Sequence, residues 1–293
     1  MDRTKTIACL MALCCGSCQK PAAVVVGSKN LTEQVLLGEI LAQQIERRLH
    51  VTVARQLDLG GTLLTHQALV KGDIDLYPEY TGTALTAVLK QHPMDDPAAV
   101  FDAVRALYRN QFQVDWLAPL GFNNTFAMVI RGEDARAKHI TTLSEAAAAQ
   151  PWRMGVGYEF VERPDGLDGL IKAYGLHMAE APVSMDLGLL YTALSGRKVD
   201  MIAGSATDGQ IAKLDVRVLA DDRHYFPPYQ CAVVVREAAE ARVPGLRAAL
   251  EELSGKISDE AMRKLNYAVD VEHRSARKVA EEFLNGQLAV IPR

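Results

Sequence analysis

Phe126-Ala127-Met128-Val129-Ile130-Arg131 has a near-copy about a hundred residues later, Cys231-Ala232-Val233-Val234-Val235-Arg236. Both are apolar, largely β-branched runs ending in Arg, the composition of a buried strand. Each follows a loop that carries aromatics, Gly121-Phe-Asn-Asn-Thr125 before the first and Phe226-Pro-Pro-Tyr229 before the second. On pattern alone two readings stand: two ordinary sheet strands that match by chance, or a pair of crossover strands where the chain leaves one lobe and later returns. The second reading gives an α/β protein with a first lobe from residues 24–125 and 230–293 and a second lobe from 126–229. A cleft between such lobes is a favoured place for a small ligand.

The segments around these strands alternate as an α/β chain should. Val24-Val25-Val26 reads as a strand ending at Gly27-Ser28, and a helix follows with Leu36, Leu37, Ile40, Leu41, Ile45 and Leu49 on one face. Asn30 is placed as its N-cap, with Glu33 completing a capping box. Residues 51–57 read as a strand, Gly60-Gly61 as a turn and 62–70 as a helix. Further helices are expected at 97–109, 143–149 and 186–194, and further strands at 153–157, 199–203 and 216–219. Helical patterns at 243–253, 258–269 and 275–284 close the chain. Asp75-Leu-Tyr-Pro-Glu-Tyr-Thr-Gly-Thr83, broken by proline and glycine, reads as a loop.

Composition narrows the function. With 49% hydrophobic and 23% charged residues the 293-residue chain is no disordered segment, and a net charge of −4 offers no basic face for nucleic acid. Nucleophile-elbow, phosphate-loop and zinc-helix motifs are missing, and the seven histidines are scattered without ligand spacing. The reading is therefore of a protein that is not an enzyme and needs neither metal nor cofactor. Four of the five cysteines lie within the first 18 residues, around a basic start (Arg3, Lys5) and a short apolar run, Ile7 to Leu13. That is the layout of an export signal. Gly16-Ser17-Cys18 resembles a bacterial lipobox, with Cys15 where Leu is preferred. Residues 1–17 are thus expected to be a signal peptide, Cys18 the lipidated residue, and 18–23 a tether holding the protein in the periplasm or at the cell surface.

Aromatic and hydroxyl residues gather in the segments flanking the two runs, and aromatic faces attract desolvated cations. These segments resemble the substrate-binding proteins of osmoprotectant ABC transporters, the OpuAC/ProX-like family that takes glycine betaine, choline and carnitine. The resemblance rests on Gly27-Ser-Lys-Asn-Leu-Thr-Glu-Gln34, Tyr77-Pro-Glu-Tyr-Thr-Gly-Thr83, Gly121 to Phe126, Glu159-Phe-Val-Glu-Arg-Pro-Asp-Gly166, Ala206-Thr-Asp-Gly209 and Phe226 to Tyr229. It implies a two-lobed, type II periplasmic binding protein. It also implies an aromatic cage at Tyr80, Phe126, Ser205 and Tyr229, where many members carry four tyrosines. Phe126 keeps the ring without the hydroxyl, and Ser205 removes a wall. By the same resemblance Lys29, Thr83 and Arg163 would clamp a ligand carboxylate, for which an Arg fork is suited. Asn124 and Gln34 would line the cleft, while Asp208 and Glu79 would be structural.

The expected partners are a small quaternary amine, an ABC permease with its ATPase subunit, and the membrane through the lipid anchor, with the protein itself a monomer. Two alternatives keep the fold. One is a retuned ligand, such as a bulkier betaine like ergothioneine or another small metabolite. The other is a ligand-sensing domain docking to a membrane receptor.

Overall fold

The computed structural model describes residues 22–286, so the signal peptide and Cys18 lie outside the described residues. Ten strands form two mixed five-stranded sheets. The first contains β1 (Val24–Gly27), β2 (Val53–Gln56), β3 (Leu76–Tyr80), β4 (Val114–Trp116) and β10 (Cys231–Arg236), in the order β2-β1-β3-β10-β4. The second contains β5 (Phe126–Arg131), β6 (Met154–Gly157), β7 (Val183–Met185), β8 (Met201–Ser205) and β9 (Val216–Val218), in the order β7-β6-β8-β5-β9. The strand that changes sheet is fourth in each and runs antiparallel to both neighbours, whereas β1 with β2 and β3, and β6 with β7 and β8, pair in parallel. The two matching runs are thus the crossover strands, placed alike in two sheets of the same design.

The register of these strands sets the site. Cys231 faces Tyr80 across β10 and β3, and Phe126 faces Ser205 across β5 and β8. Tyr80 and Ser205 therefore stand at equivalent positions, each at the end of the strand beside a crossover.

Three expectations are corrected. Residues 76–80 form no loop but a strand buried throughout, with Pro78 inside it. Proline survives there because the ladder with β1 stops at Leu76, so beyond that residue β3 pairs only with β10 and fewer donors are needed. The helix after β1 runs Thr32–Leu49, its N-cap is Leu31 and no side chain caps it. Glu33 is drawn away from the helix end into the buried contacts described below. The 186–194 segment is a 3₁₀ turn at Leu187–Leu189, capped by Asp186, followed by helix Leu190–Ser195. Among the described residues no helix is long and apolar enough to cross a membrane.

Candidate functional site

A cavity of about 660 Å³ lies where the two sheets' strand ends meet. Lys29, Tyr80, Thr83, Asn124, Phe126, Arg163, Ser205 and Tyr229 all line it, so residues spread over two hundred positions converge on one space. Glu33, Phe160, Tyr191, Asp208 and Asn266 line it as well, and Gln34 is buried beside them without being part of the wall.

The aromatic wall is built around a protein cation. Phe126 packs against Phe160, Phe226 and Tyr229, with centroids 4.8, 5.5 and 5.5 Å away. The Arg163 guanidinium sits 5.2 Å from the Phe126 ring centre and 5.8 Å from that of Tyr229. Arg163 also forms a two-pronged pair with Asp165, Nε to Oδ1 at 2.9 Å and Nη2 to Oδ2 at 2.6 Å, and donates to Thr83 Oγ1 at 3.3 Å. Tyr229 donates its hydroxyl to Asp165, and burial followed by the Asp165 charge pushes that hydroxyl's pKa far up. Phe160 and Phe226 stand in quoted motifs but were given no place in the cage. Their signal was the aromatic in each motif that carries Arg163 and Tyr229.

Lys29 is buried, pairs with Glu79 and lies 5.0 Å from the Tyr80 ring centre. Glu79 further accepts from Tyr77 Oη at 2.8 Å and from the Tyr80 backbone N–H at 2.7 Å. In the second sheet Asp208 stands in the corresponding place, accepting from the Ser205 N–H at 2.8 Å and from Tyr191 Oη at 2.9 Å. Among the described residues no cation pairs with Asp208, and burial pushes its pKa up to about 7.

Glu33 is the residue whose role sequence reasoning missed most. Its Oε1 accepts from Tyr80 Oη at 2.6 Å and Asn124 Nδ2 at 2.9 Å, and its Oε2 from Asn266 Nδ2 at 2.9 Å and from the Thr207 hydroxyl. Burial raises its pKa, against the pull of the four hydrogen bonds. Spaced like a capping residue, it gave no local sign of partners up to 233 positions away.

Contacts cross between the lobes on several sides, so the lobes are closed on each other. Glu159 accepts from the Thr62 N–H at 2.5 Å and Oγ1 at 3.0 Å, at the start of helix Thr62–Lys71. Asp165 accepts from Thr86 Oγ1 at 2.9 Å, and the Thr207 carbonyl from Asn266 Nδ2 at 2.8 Å.

Two like-built lobes with crossover strands and a lined cavity between them define a type II periplasmic binding protein. The profile of the substrate-binding domain of the ABC-type glycine betaine transport system covers residues 22–286, and the chain belongs to that family. The ergothioneine transport permease/ergothioneine binding protein of Helicobacter pylori (strain G27) is 39% identical over 268 residues, 91% of this chain, which spans only 47% of that relative's length. A glycine-betaine-binding protein of Pseudomonas aeruginosa (strain PAO1) is 35% identical over 294 residues, covering 96% of this chain and 93% of its own. The crystal structure of a glycine betaine/carnitine/choline ABC transporter protein matches with TM-score 0.76 at 32% identity, over 90% of this chain and 98% of that one.

Proposed function

We propose that this protein captures a small zwitterion bearing a quaternary ammonium group outside the cytoplasm and presents it, lobes closed, to a membrane permease driven by an ATPase. The observation that carries this reading is a single cavity uniting Arg163 and Lys29 with the rings of Tyr80, Phe126, Phe160 and Tyr229. A ligand carboxylate would meet the Nη1 edge of Arg163, which Asp165 leaves unpaired, and Thr83 beside it, and methylated nitrogen would meet ring faces, each such contact contributing ~0.5–2 kcal/mol. In this reading residues 24–125 with 230–293 and residues 126–229 move as two bodies, and ligand bound to both favours the closed state. Cys18, carrying lipid after removal of residues 1–17, would keep the protein beside its permease.

A second ligand has a specific observation in its favour. Ser205 leaves the wall open toward Tyr191, Asp208 and Gln210, and the cavity extends there. That space suits a betaine with a bulky polar substituent, of which ergothioneine, named in the Helicobacter relative, is an example. Calorimetric titration with glycine betaine, choline, carnitine, proline betaine and ergothioneine decides. Submicromolar binding of ergothioneine alone selects the second ligand, and no heat with any of them defeats the quaternary-ammonium reading.

A further inference from the structure

Glu33 is withdrawn from water, and its four hydrogen-bond donors are all neutral: one phenol, one alcohol and two amides. A buried ionised carboxylate is costly unless a positive charge balances it. The two cavity-lining cations are already engaged, Lys29 with Glu79 and Arg163 with Asp165. The remaining wall adds no positive charge to balance it. Its other acidic groups include Asp208 and Asp270, and Asn124 and Asn266, whose amide nitrogens donate to Glu33, hold buried Oδ1 atoms without a hydrogen-bond partner among the described residues. Asn266 is only 3% exposed, so water does not satisfy that oxygen from outside.

We infer that Glu33 is the counter-charge for the cationic centre of the ligand, completed as a site only when the lobes close. Its donors come from both lobes: Tyr80, Asn124 and Asn266 from the first, and Thr207 from the second. Tyr80 joins this charge to the aromatic wall. Its hydroxyl donates to Glu33 while its ring borders the cavity, so the negative charge enriches the ring face that a methylated ammonium would meet. Selectivity for a cation then comes from a carboxylate held by neutral donors together with the ring faces it enriches.

The inference rests on the quaternary-ammonium reading, and one experiment separates the two. Affinities of wild type and Glu33→Gln are measured for glycine betaine and for 3,3-dimethylbutanoate, in which carbon replaces the charged nitrogen at nearly the same shape; choline and 3,3-dimethylbutan-1-ol form a second pair. Wild type should prefer the ammonium member by about a hundredfold or more, and Glu33→Gln should reduce that preference at least about tenfold. Thr207→Val, which removes one hydrogen bond and keeps the charge, should weaken both members of a pair by the same factor. A Glu33→Gln protein that weakens both equally, or keeps the full preference, overturns the counter-charge role and leaves the ligand class standing. The wild-type ratio is an independent arm should the variant not fold, because equal affinity for a charged ligand and its carbon analogue overturns the inference by itself. Wild type that binds neither ammonium compound defeats the reading beneath it.

Discussion

The two lobes end their central strands in the same way and treat the buried carboxylate there differently. In the first, Tyr80 closes β3 opposite Cys231, and Glu79 accepts the Tyr80 backbone N–H while paired with Lys29. In the second, Ser205 closes β8 opposite Phe126, and Asp208 accepts the Ser205 N–H and the Tyr191 hydroxyl. The ring stands on the crossover strand instead, and among the described residues no cation pairs with Asp208. One design thus ends in a charge-paired carboxylate at Glu79 and an unpaired carboxyl at Asp208. Burial without a counter-charge is what raises the Asp208 carboxyl.

Replacing Tyr80 by Ser makes the first lobe resemble the second and should have the largest effect. A nearly fully buried ring is lost and Glu33 loses a donor, so a destabilisation of ~3–5 kcal/mol is expected in urea unfolding, with betaine binding abolished. Ligand binding retained within threefold would show that the two strand ends are not equivalent walls.

The missing cation beside Asp208 is tested by pH. Folded, this carboxyl keeps its proton up to about pH 7, whereas unfolded it loses it near 3.8. Between those values the folded protein binds more protons, so this group's contribution to stability is greatest in acid and declines as pH rises through the window. The full span is on the order of 4 kcal/mol as an upper bound. Asp208→Asn should flatten this part of the profile in denaturation series from pH 4 to 8, and an unchanged slope would mean that Asp208 is ionised throughout.

A smaller effect is expected at the seam between the lobes. Gly209 follows Asp208 in the second lobe, and a Cβ there would lie 2.6 Å from the Tyr267 nitrogen of helix Asp259–Asp270 in the first. Its φ of −62° suits alanine, so Gly209→Ala should strain the closed contact alone. We expect affinity to fall about tenfold, or ~1.4 kcal/mol, with little change in melting temperature, measured by calorimetry alongside thermal unfolding.

Ser205→Tyr gives the second lobe the ring that the first has, with effects of opposite sign on two ligands. A compact betaine should bind tighter by ~0.5–2 kcal/mol, and a bulkier one should lose affinity as the opening toward Tyr191 closes. Titration of both ligands reads the two effects, and tighter binding of the bulky one would contradict this geometry.

Much of the fold was legible because it is written in local periodicity. The β-branched runs at 126–131 and 231–236 became strands, Leu143–Ala149 became a helix with the Thr142 capping box, and Gly60-Gly61 led into helix Thr62–Lys71. Failures came where distant partners override local preference. Pro78 argued against a strand until the short β1 ladder made one possible, and Glu33 looked like a cap because its actual partners are remote in the chain.

Side-chain pattern and motif were enough for the alternation of strands and helices, the repeated crossover run and the residue types offered to the cavity. Which charges cancel depended on the packed chain. Lys29 finds Glu79, and Arg163 finds Asp165, while Glu33 and Asp208 are left to neutral donors. Pattern fixes what a segment can bury; the energy of a buried charge depends on neighbours a few ångströms away in space, and those are set only when both lobes are folded and closed.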